Sequence, residues 1–251
     1  MMINKEQNNN SERTIQPRDE ELDALCRELK TRAKAGHGVA FRMRVWNATI
    51  WFSYKLKRVF DLVVSFIALI VLSPLMLLIG LLVKLTSPGA MIFTQIRVGR
   101  YGRHFRFYKF RSMYIDAEER KAQLLAQNQS ADGVIFKMKN DPRITPIGRI
   151  LRKTSLDELP QLVNVFLGDM SLVGPRPPVP SEVREYTLED RKRLNVIPGL
   201  TCIWQISGRS DIPFSGQVKL DKEYIVSRGL WRDIWILLKT VPAIFIGKGA
   251  Y

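Results

Sequence analysis

Asp157 and Glu158 are adjacent carboxylates that follow a stretch crowded with cations, namely Lys109, Arg111, Lys137, Lys139, Arg143, Arg149, Arg152 and Lys153. Between Arg97 and Lys153 the chain carries 14 basic residues against 5 acidic ones. One surface charge means little, but a carboxylate pair beside so many cations fits a diphosphate site. Ser155 with Glu158 three residues later has the pattern of a capping box, which predicts a helix starting at 156 with both carboxylates in its first turn. Helix capping alone would explain the pair. The functional alternative is that a helix N-terminus among cations holds an ionised Asp157, a divalent metal and substrate phosphates together. Downstream, Pro175 and Pro177 fix φ on either side of Arg176. Its guanidinium is then either held ready for a bidentate phosphate contact or part of a structural turn.

The elements that must position these groups are legible in outline. Residues 90–98 and 105–110 alternate like strands around Gly99-Arg100-Tyr101-Gly102, which predicts a β-hairpin. A polar helix is expected over 115–129, a turn at Asp141-Pro142 and a helix beginning at 147–151. The helix over 156–167 should end at Gly168. The segment 174–178, Gly-Pro-Arg-Pro-Pro, must be a stiff loop. A charged, solvated helix is expected over 181–194, and two further helical stretches over 220–245, with Trp231 and Trp235 near basic residues.

Residues 62–83 read LVVSFIALIVLSPLMLLIGLLV, 22 residues without a charge. A straight helix of that length reaches roughly 33 Å, enough for the bilayer's hydrocarbon. Ser73-Pro74 falls in the middle, where proline removes an N–H and favours a kink. Both flanks are basic: Lys55, Lys57 and Arg58 before it, Lys84, Arg97, Arg100 and Arg103 after it. The positive-inside rule places both ends on the cytoplasmic side. A helix broken at Ser73-Pro74 that enters and leaves by one face satisfies both facts; a kinked transmembrane helix is the alternative. Residues 41–57 mix aromatics with Arg and Lys, a composition suited to a helix in the headgroup layer of anionic lipid. Before them, a helical pattern over 20–35 is expected to break at Gly36 and Gly38.

Composition narrows the partners. The chain has 251 residues and a net charge of +15, which calls for an anionic partner. No helix-turn-helix, zinc finger or RNP motif supports nucleic acid. The two cysteines, Cys26 and Cys202, and the two histidines, His37 and His104, argue against a disulfide framework and a zinc site. A reducing, cytosol-facing protein is expected.

Four segments together resemble the bacterial sugar transferase family, the monotopic phosphoglycosyl transferases that start glycan assembly on polyprenyl phosphate. They are KRVFDLVVSFIALIVLSPLMLLIGLLVK (57–84), FTQIRVGRYGRHFRFYKFRSM (93–113), DPRITPIGRILRKTSLDELPQLVNVFLGDMSLVGPRP (141–177) and PGLTCIWQISGR (198–209). The resemblance covers roughly 55–251 and resembles the small form of the family.

The pattern and the resemblance together give an expected helix-rich α+β fold in three parts: a polar tail with a short helix (1–40), an interfacial and re-entrant membrane helix (41–86), and a cytoplasmic catalytic domain (87–251), residues 1–54 having no clear counterpart in the family. The resemblance implies Asp157 as nucleophile and Glu158 as its partner, both near Mg²⁺ or Mn²⁺. Lys109, Arg111, Arg152 and Arg176 are expected to bind substrate phosphates. Asp141, Arg149, Asp169, Pro175 and Pro177 are expected in support, and Ser73 and Pro74 at the helix break. The implied partners are a UDP-sugar, polyprenyl phosphate and anionic lipid at the cytoplasmic face of the bacterial inner membrane, with room for a homo-oligomer. The sugar is expected to be a hexose, glucose or galactose. A membrane-tethered binding module or a structural scaffold would explain the same composition without chemistry.

Overall fold

A computed structural model describes residues 19–124, 138, 140–208 and 211–246. The polar tail over 1–18, the end of the polar helix expected to 129, and Lys137 and Lys139 lie outside the described residues. The chain divides into two units, Met1–Phe52 and Ser53–Tyr251.

The described part of the first unit is helical throughout and belongs to α1, Asp19–Thr86. Helix therefore continues through Gly36 and Gly38, contrary to expectation. An isolated glycine costs a helix only about 1 kcal/mol and, unlike proline, removes no hydrogen bond. Phe41, Trp46, Trp51 and Phe52 are all exposed.

In the second unit the rest of α1 contains the apolar run. The helical stretch from Phe41 to Thr86 is the one among the described residues long and apolar enough to cross a membrane. Its burial follows a single stripe. Asp61, Ser65, Ile79 and Val83 are buried, and Phe60, Val64, Ala68, Leu69, Leu72 and Met76 pack against the globular cores. Spacings of three and four keep these residues on one side of a 3.6-residue helix. Phe66, Ile70, Leu77, Leu78 and Leu81 point outward and are exposed.

Pro74 lies inside this helix rather than ending it. Having no N–H, it leaves the Ile70 carbonyl without its usual donor, and the Ser73 hydroxyl donates to that carbonyl at 2.8 Å. The expected break is thus absent as a helix terminus, because the neighbouring serine satisfies the group that proline frees.

The hairpin forms as expected: β1 (Ile92–Val98) pairs antiparallel with β2 (His104–Phe110). Tyr101 takes a left-handed turn conformation, φ 56°. After α2 (Ala117–Leu124), Thr145 caps α3 (Pro146–Lys153), its hydroxyl accepting from the Gly148 N–H at 3.0 Å.

The helix expected over 156–167 is divided. A 3₁₀ turn, Leu156–Glu158, precedes α4, Gln161–Leu167. Pro160 has no N–H to give the Leu156 carbonyl; Leu159 donates to that carbonyl instead, at 3.3 Å, which tightens the turn to 3₁₀. Ser155 is left-handed, φ 56°, and makes no side-chain cap, so the expected capping box is also absent. Gly168 ends α4 with φ 95°, as expected. Asn164 joins α4 to β2: its amide donates to the Arg106 carbonyl at 2.6 Å and accepts from the Tyr108 N–H at 3.2 Å.

A second, parallel pair consists of β3 (Ser171–Val173) and β4 (Gly199–Thr201). The single helix expected over 181–194 is instead α5 (Pro180–Arg184), α6 (Leu188–Arg191) and a 3₁₀ turn, Lys192–Asn195. Tyr186 and Arg193 are buried, and Arg193 donates to Asp221 and to the Tyr186 hydroxyl. The stretch is anchored to the core, not solvated all round. α7 (Ile203–Ser207), α8 (Phe214–Ser227) and α9 (Leu230–Ile246) complete a helix-rich α+β unit. Its main core draws on Phe105, Phe107, Leu162, Val165, Met170, Leu172, Tyr224 and Ile236.

Candidate active site

The hairpin register supplies the first part of the site. Cross-strand partners share a face, so Phe93↔Lys109, Gln95↔Phe107 and Arg97↔Phe105 project together. The 3₁₀ turn then brings Asp157 and Glu158 to Lys109. The Lys109 Nζ lies 2.7 Å from Glu158 Oε1 and 3.7 Å from Asp157 Oδ2. Asp157 is buried, while Glu158 is half-buried. Three residues of 3₁₀ turn make too short a helix for the dipole expected at this pair. The electrostatics come from side chains.

Asp157 lies on the wall of a cleft of about 530 Å³ lined by six cations, Arg97, Lys109, Arg111, Arg143, Arg152 and Arg176. The lining carries three acids, Asp157, Glu118 and Glu182. A concave surface with that excess of positive charge suits a phosphorylated ligand, which neutralises it. The two neighbouring carboxylates differ in proton affinity. Burial pushes the Asp157 carboxyl up, against the pull of Lys109. Burial also opposes the Glu158 charge, but the Lys109 ammonium outweighs it and holds that carboxyl below its ordinary value. Glu158 is therefore the anchored anion of the pair, and Asp157 the more basic oxygen facing the cleft.

The expected phosphate ligands separate into two groups. Arg176 and Arg152 face the cleft, and among the described residues neither has a hydrogen bond from its side chain. Burial lowers the proton affinity of Arg152, against the pull of Asp157 and Asp141. Arg111 differs. Its two terminal nitrogens donate at 2.6 Å to the carbonyls of Pro88 and Ser87, so its fork holds the turn after α1 and is not free for phosphate. Asp141 is buried and grips Arg143, accepting from Nη2 at 2.6 Å and from Nε at 2.9 Å, so its support reaches the cleft through Arg143. Arg149 is exposed on α3, and neither it nor Asp169 lines the cleft.

Pro175 and Pro177 are buried in the expected loop. The residue that holds this loop is Arg97, which the sequence offered only as a flanking cation within FTQIRVGR. Its Nη1 donates to the Pro177 carbonyl at 3.0 Å, and the Val98 N–H donates to the Pro178 carbonyl at 2.9 Å. Burial, reinforced by Arg176, lowers Arg97 to about 10. Across the loop, Gly174 donates to the Thr201 carbonyl at 3.0 Å and Gly199 to the Pro175 carbonyl at 2.9 Å.

No group of three or more His, Cys, Asp or Glu capable of holding a metal occurs among the described residues. Mg²⁺ does not need one, since it commonly takes one or two carboxylates and completes its shell with water and substrate phosphate. Asp157 and Glu158 supply two carboxylates, both within reach of the Lys109 ammonium.

Residues 52–247 match the family model described as bacterial sugar transferase. The chain is 54% identical over 163 residues, 64% of its length, to "Galactosyl transferase CpsE" of Streptococcus agalactiae serotype III, of which that match covers 36%. It is 48% identical to "Undecaprenyl-phosphate galactose phosphotransferase" of Salmonella typhimurium, over 78% of this chain and 42% of the relative. "Exopolysaccharide production protein ExoY" of Rhizobium meliloti is 41% identical, over 78% of this chain and 88% of the relative. The chain thus spans less than half the length of the first two relatives and most of the third.

Proposed function

The chain belongs to the bacterial sugar transferase family, and on that premise we propose that it transfers a hexose 1-phosphate from a UDP-sugar to undecaprenyl phosphate, an initiating step of exopolysaccharide, capsule or O-antigen synthesis. The observation that carries this reading is a buried, basic carboxylate, Asp157, on the wall of a cleft lined by six cations. In the first step an Asp157 oxygen attacks the β-phosphorus of the donor. The bond to the α-phosphate oxygen breaks, and UMP leaves with the electron pair. An oxygen of undecaprenyl phosphate then attacks the same phosphorus and displaces the Asp157 carboxylate, giving undecaprenyl diphosphate hexose. A covalent relay of this kind divides one difficult transfer into two easier steps.

Lys109 and Glu158 hold the 3₁₀ turn in place. Arg152 and Arg176 face the diphosphate, where charge develops as UMP departs. Mg²⁺, held by Asp157 and Glu158, would neutralise phosphate charge. The relatives named for galactose and glucose transfer support a hexose. The test is incubation with UDP-glucose or UDP-galactose and undecaprenyl phosphate, following nucleotide release and label in the lipid phase. UMP and labelled lipid are expected. Release of UDP in place of UMP, or no labelled lipid from either donor, would sink the reading.

The same geometry supports a membrane seat on one side of the bilayer, and the basic flanks of the run favour the cytoplasmic face. Near the start of the apolar run, Arg58 donates to the Val165 and Phe166 carbonyls at 2.6 and 2.7 Å. At the other end, Ile79 and Val83 pack with Phe110 and Leu151. Both ends of the run are therefore docked on one globular unit, which cannot lie on both sides of a bilayer. Cysteines replacing Lys55 and Thr94 are expected to react with an impermeant thiol reagent from the cytoplasmic side alone. Labelling of either from outside would mean that the helix spans.

Arg176 gives a further expectation. A planar fork matched to phosphate makes Arg176→Lys nearly as damaging as Arg176→Ala. Loss of one charge-assisted contact is worth roughly 1.5–3 kcal/mol, or about ten- to a hundredfold in kcat/KM. A silent Arg176→Lys, with unchanged kinetics, would leave the loop a purely structural turn.

A further inference from the structure

β3 is three residues long, and its two edges are closed by different elements. Toward β4, the Ser171 N–H donates to the Pro198 carbonyl at 2.8 Å and the Gly174 N–H to the Thr201 carbonyl at 3.0 Å. A trans peptide points its carbonyl away from its N–H, so the Val173 carbonyl faces the other edge. There β3 meets α1. Asp61 accepts from the Leu172 N–H at 3.1 Å, and one turn earlier the Lys57 ammonium donates to the Val173 carbonyl at 3.3 Å. Two more donors lie near that carbonyl, the Ser171 hydroxyl at 3.0 Å and the Tyr224 hydroxyl at 2.9 Å. Ser171 belongs to β3 itself and ties it to nothing else. Tyr224 has one proton to give, and Asp233 Oδ1 competes for it at 2.8 Å. A carboxylate is the stronger acceptor, so the proton goes to Asp233. Lys57, which also pairs with the buried Asp233, is then the donor that fastens the Val173 carbonyl to another element.

Val173 and Gly174 open the loop that carries Arg176. Beyond Arg176, Arg97 and Val98 hold the Pro177 and Pro178 carbonyls, and before it Gly199 holds that of Pro175. We propose that Lys57 is a positioning residue for the transfer: by fixing the Val173–Gly174 peptide it sets where the Arg176 guanidinium lies in the cleft. The inference rests on the transfer reading above and adds to the phosphate site a residue of α1 that does not line the cleft. Lysine suits the place because an ammonium has three donors and no acceptor. The Val173 carbonyl and Asp233 take two of them, and Asp61 lies 3.9 Å away. Lys57 stands five residues before the apolar run, so the near end of the loop is anchored only when α1 is docked.

The test uses the full chain in detergent, with Lys57→Met made alone and together with Arg176→Ala. Methionine leaves the buried Asp233 without its cation, which threatens the fold. Lys57→Gln is therefore carried through the same pair of backgrounds. Its amide still offers Asp233 a donor, but the side chain is one atom shorter and falls short of Val173. Two readouts are taken per mole of folded protein: kcat/KM for UDP-hexose, and Kd for inorganic pyrophosphate, which needs no turnover. Displacing a positioned group by about 1 Å costs up to about a hundredfold. With Arg176 present, either Lys57 substitution is expected to lower kcat/KM roughly ten- to a hundredfold and to weaken pyrophosphate binding. With Arg176 already alanine, the same substitution is expected to change either readout by less than about twofold, because the group it positions is gone. A residue that only holds the fold together would cost the same factor in both backgrounds, and equal factors would overturn the proposal. So would wild-type kinetics and affinity in both Lys57 variants. A wild-type protein that releases no UMP yet shows the coupling in pyrophosphate binding would refute the transfer reading and leave the role of Lys57 standing.

Discussion

Asp157→Asn is expected to abolish transfer, with kcat falling roughly 10⁴- to 10⁶-fold, the scale seen when a lone nucleophile is removed. Asparagine has nearly the shape of aspartate but cannot form the acyl phosphate. After incubation with labelled UDP-hexose, the wild-type protein should carry label through denaturation and the variant none. The fold should survive. Lys109 remains paired with Glu158 at 2.7 Å, so the substitution does not leave a buried ammonium without a partner. A variant that kept a tenth of wild-type turnover would exclude Asp157 as the covalent carrier.

Gly199→Ala is expected to be strongly destabilising, and its cause is geometric. A Cβ there would lie 2.0 Å from the Gly174 nitrogen and 2.5 Å from its carbonyl oxygen. Both obstacles are backbone, and the Gly174 N–H is already committed to Thr201. Overpacking that side chains can relieve costs about 1–3 kcal/mol; here the strand pair itself must separate, so a loss above about 3 kcal/mol is expected. At roughly 2–4 °C per kcal/mol for a unit of this size, the melting temperature should fall by at least about 6 °C. Gly229→Ala is the control. Its Cβ meets nothing within 4 Å, and the change is limited to the N-cap preference at the start of α9, about 1 kcal/mol or less. Protein that still folds should have lost activity as well, because Gly174 is two residues from Arg176. A melt unchanged from wild type would show that β3 and β4 separate easily.

The hairpin, the end of α4 at Gly168 and the stiff loop around Arg176 were all legible in the sequence, because each depends on local chemistry: alternation, a left-handed glycine, clustered prolines. The pairing of Asp157 and Glu158 with Lys109 was legible as composition but not as geometry. The capping pattern at Ser155 predicted a helix start, and Pro160, which removes a hydrogen bond four residues on, overrode it. Arg111 illustrates a different limit. Nothing in its neighbours distinguishes an arginine that binds phosphate from one that closes on two carbonyls of a distant turn, and tertiary contact decided that. Arg97 was undervalued for the same reason, since its partner at Pro177 is 80 residues away. Pro74 signalled a break, but the adjacent serine satisfies the carbonyl that proline frees, so the helix continues.

The docking stripe of α1 also has a consequence for the order of synthesis. Lys57 pairs with Asp233, 176 residues later, while Arg58 and Asp61 find partners 107 and 111 residues later. At roughly 5–20 residues per second, the Lys57 partner leaves the ribosome about 9–35 s after Lys57 does. Throughout that interval the apolar face of α1 can already settle among lipid chains, whereas its polar stripe has only the internal Lys57–Asp61 pair at 3.9 Å and none of its distant partners. The helix is thus complete before the core that will close over it exists, and on the reading proposed above the rest of the unit folds onto a helix that lipid can already hold.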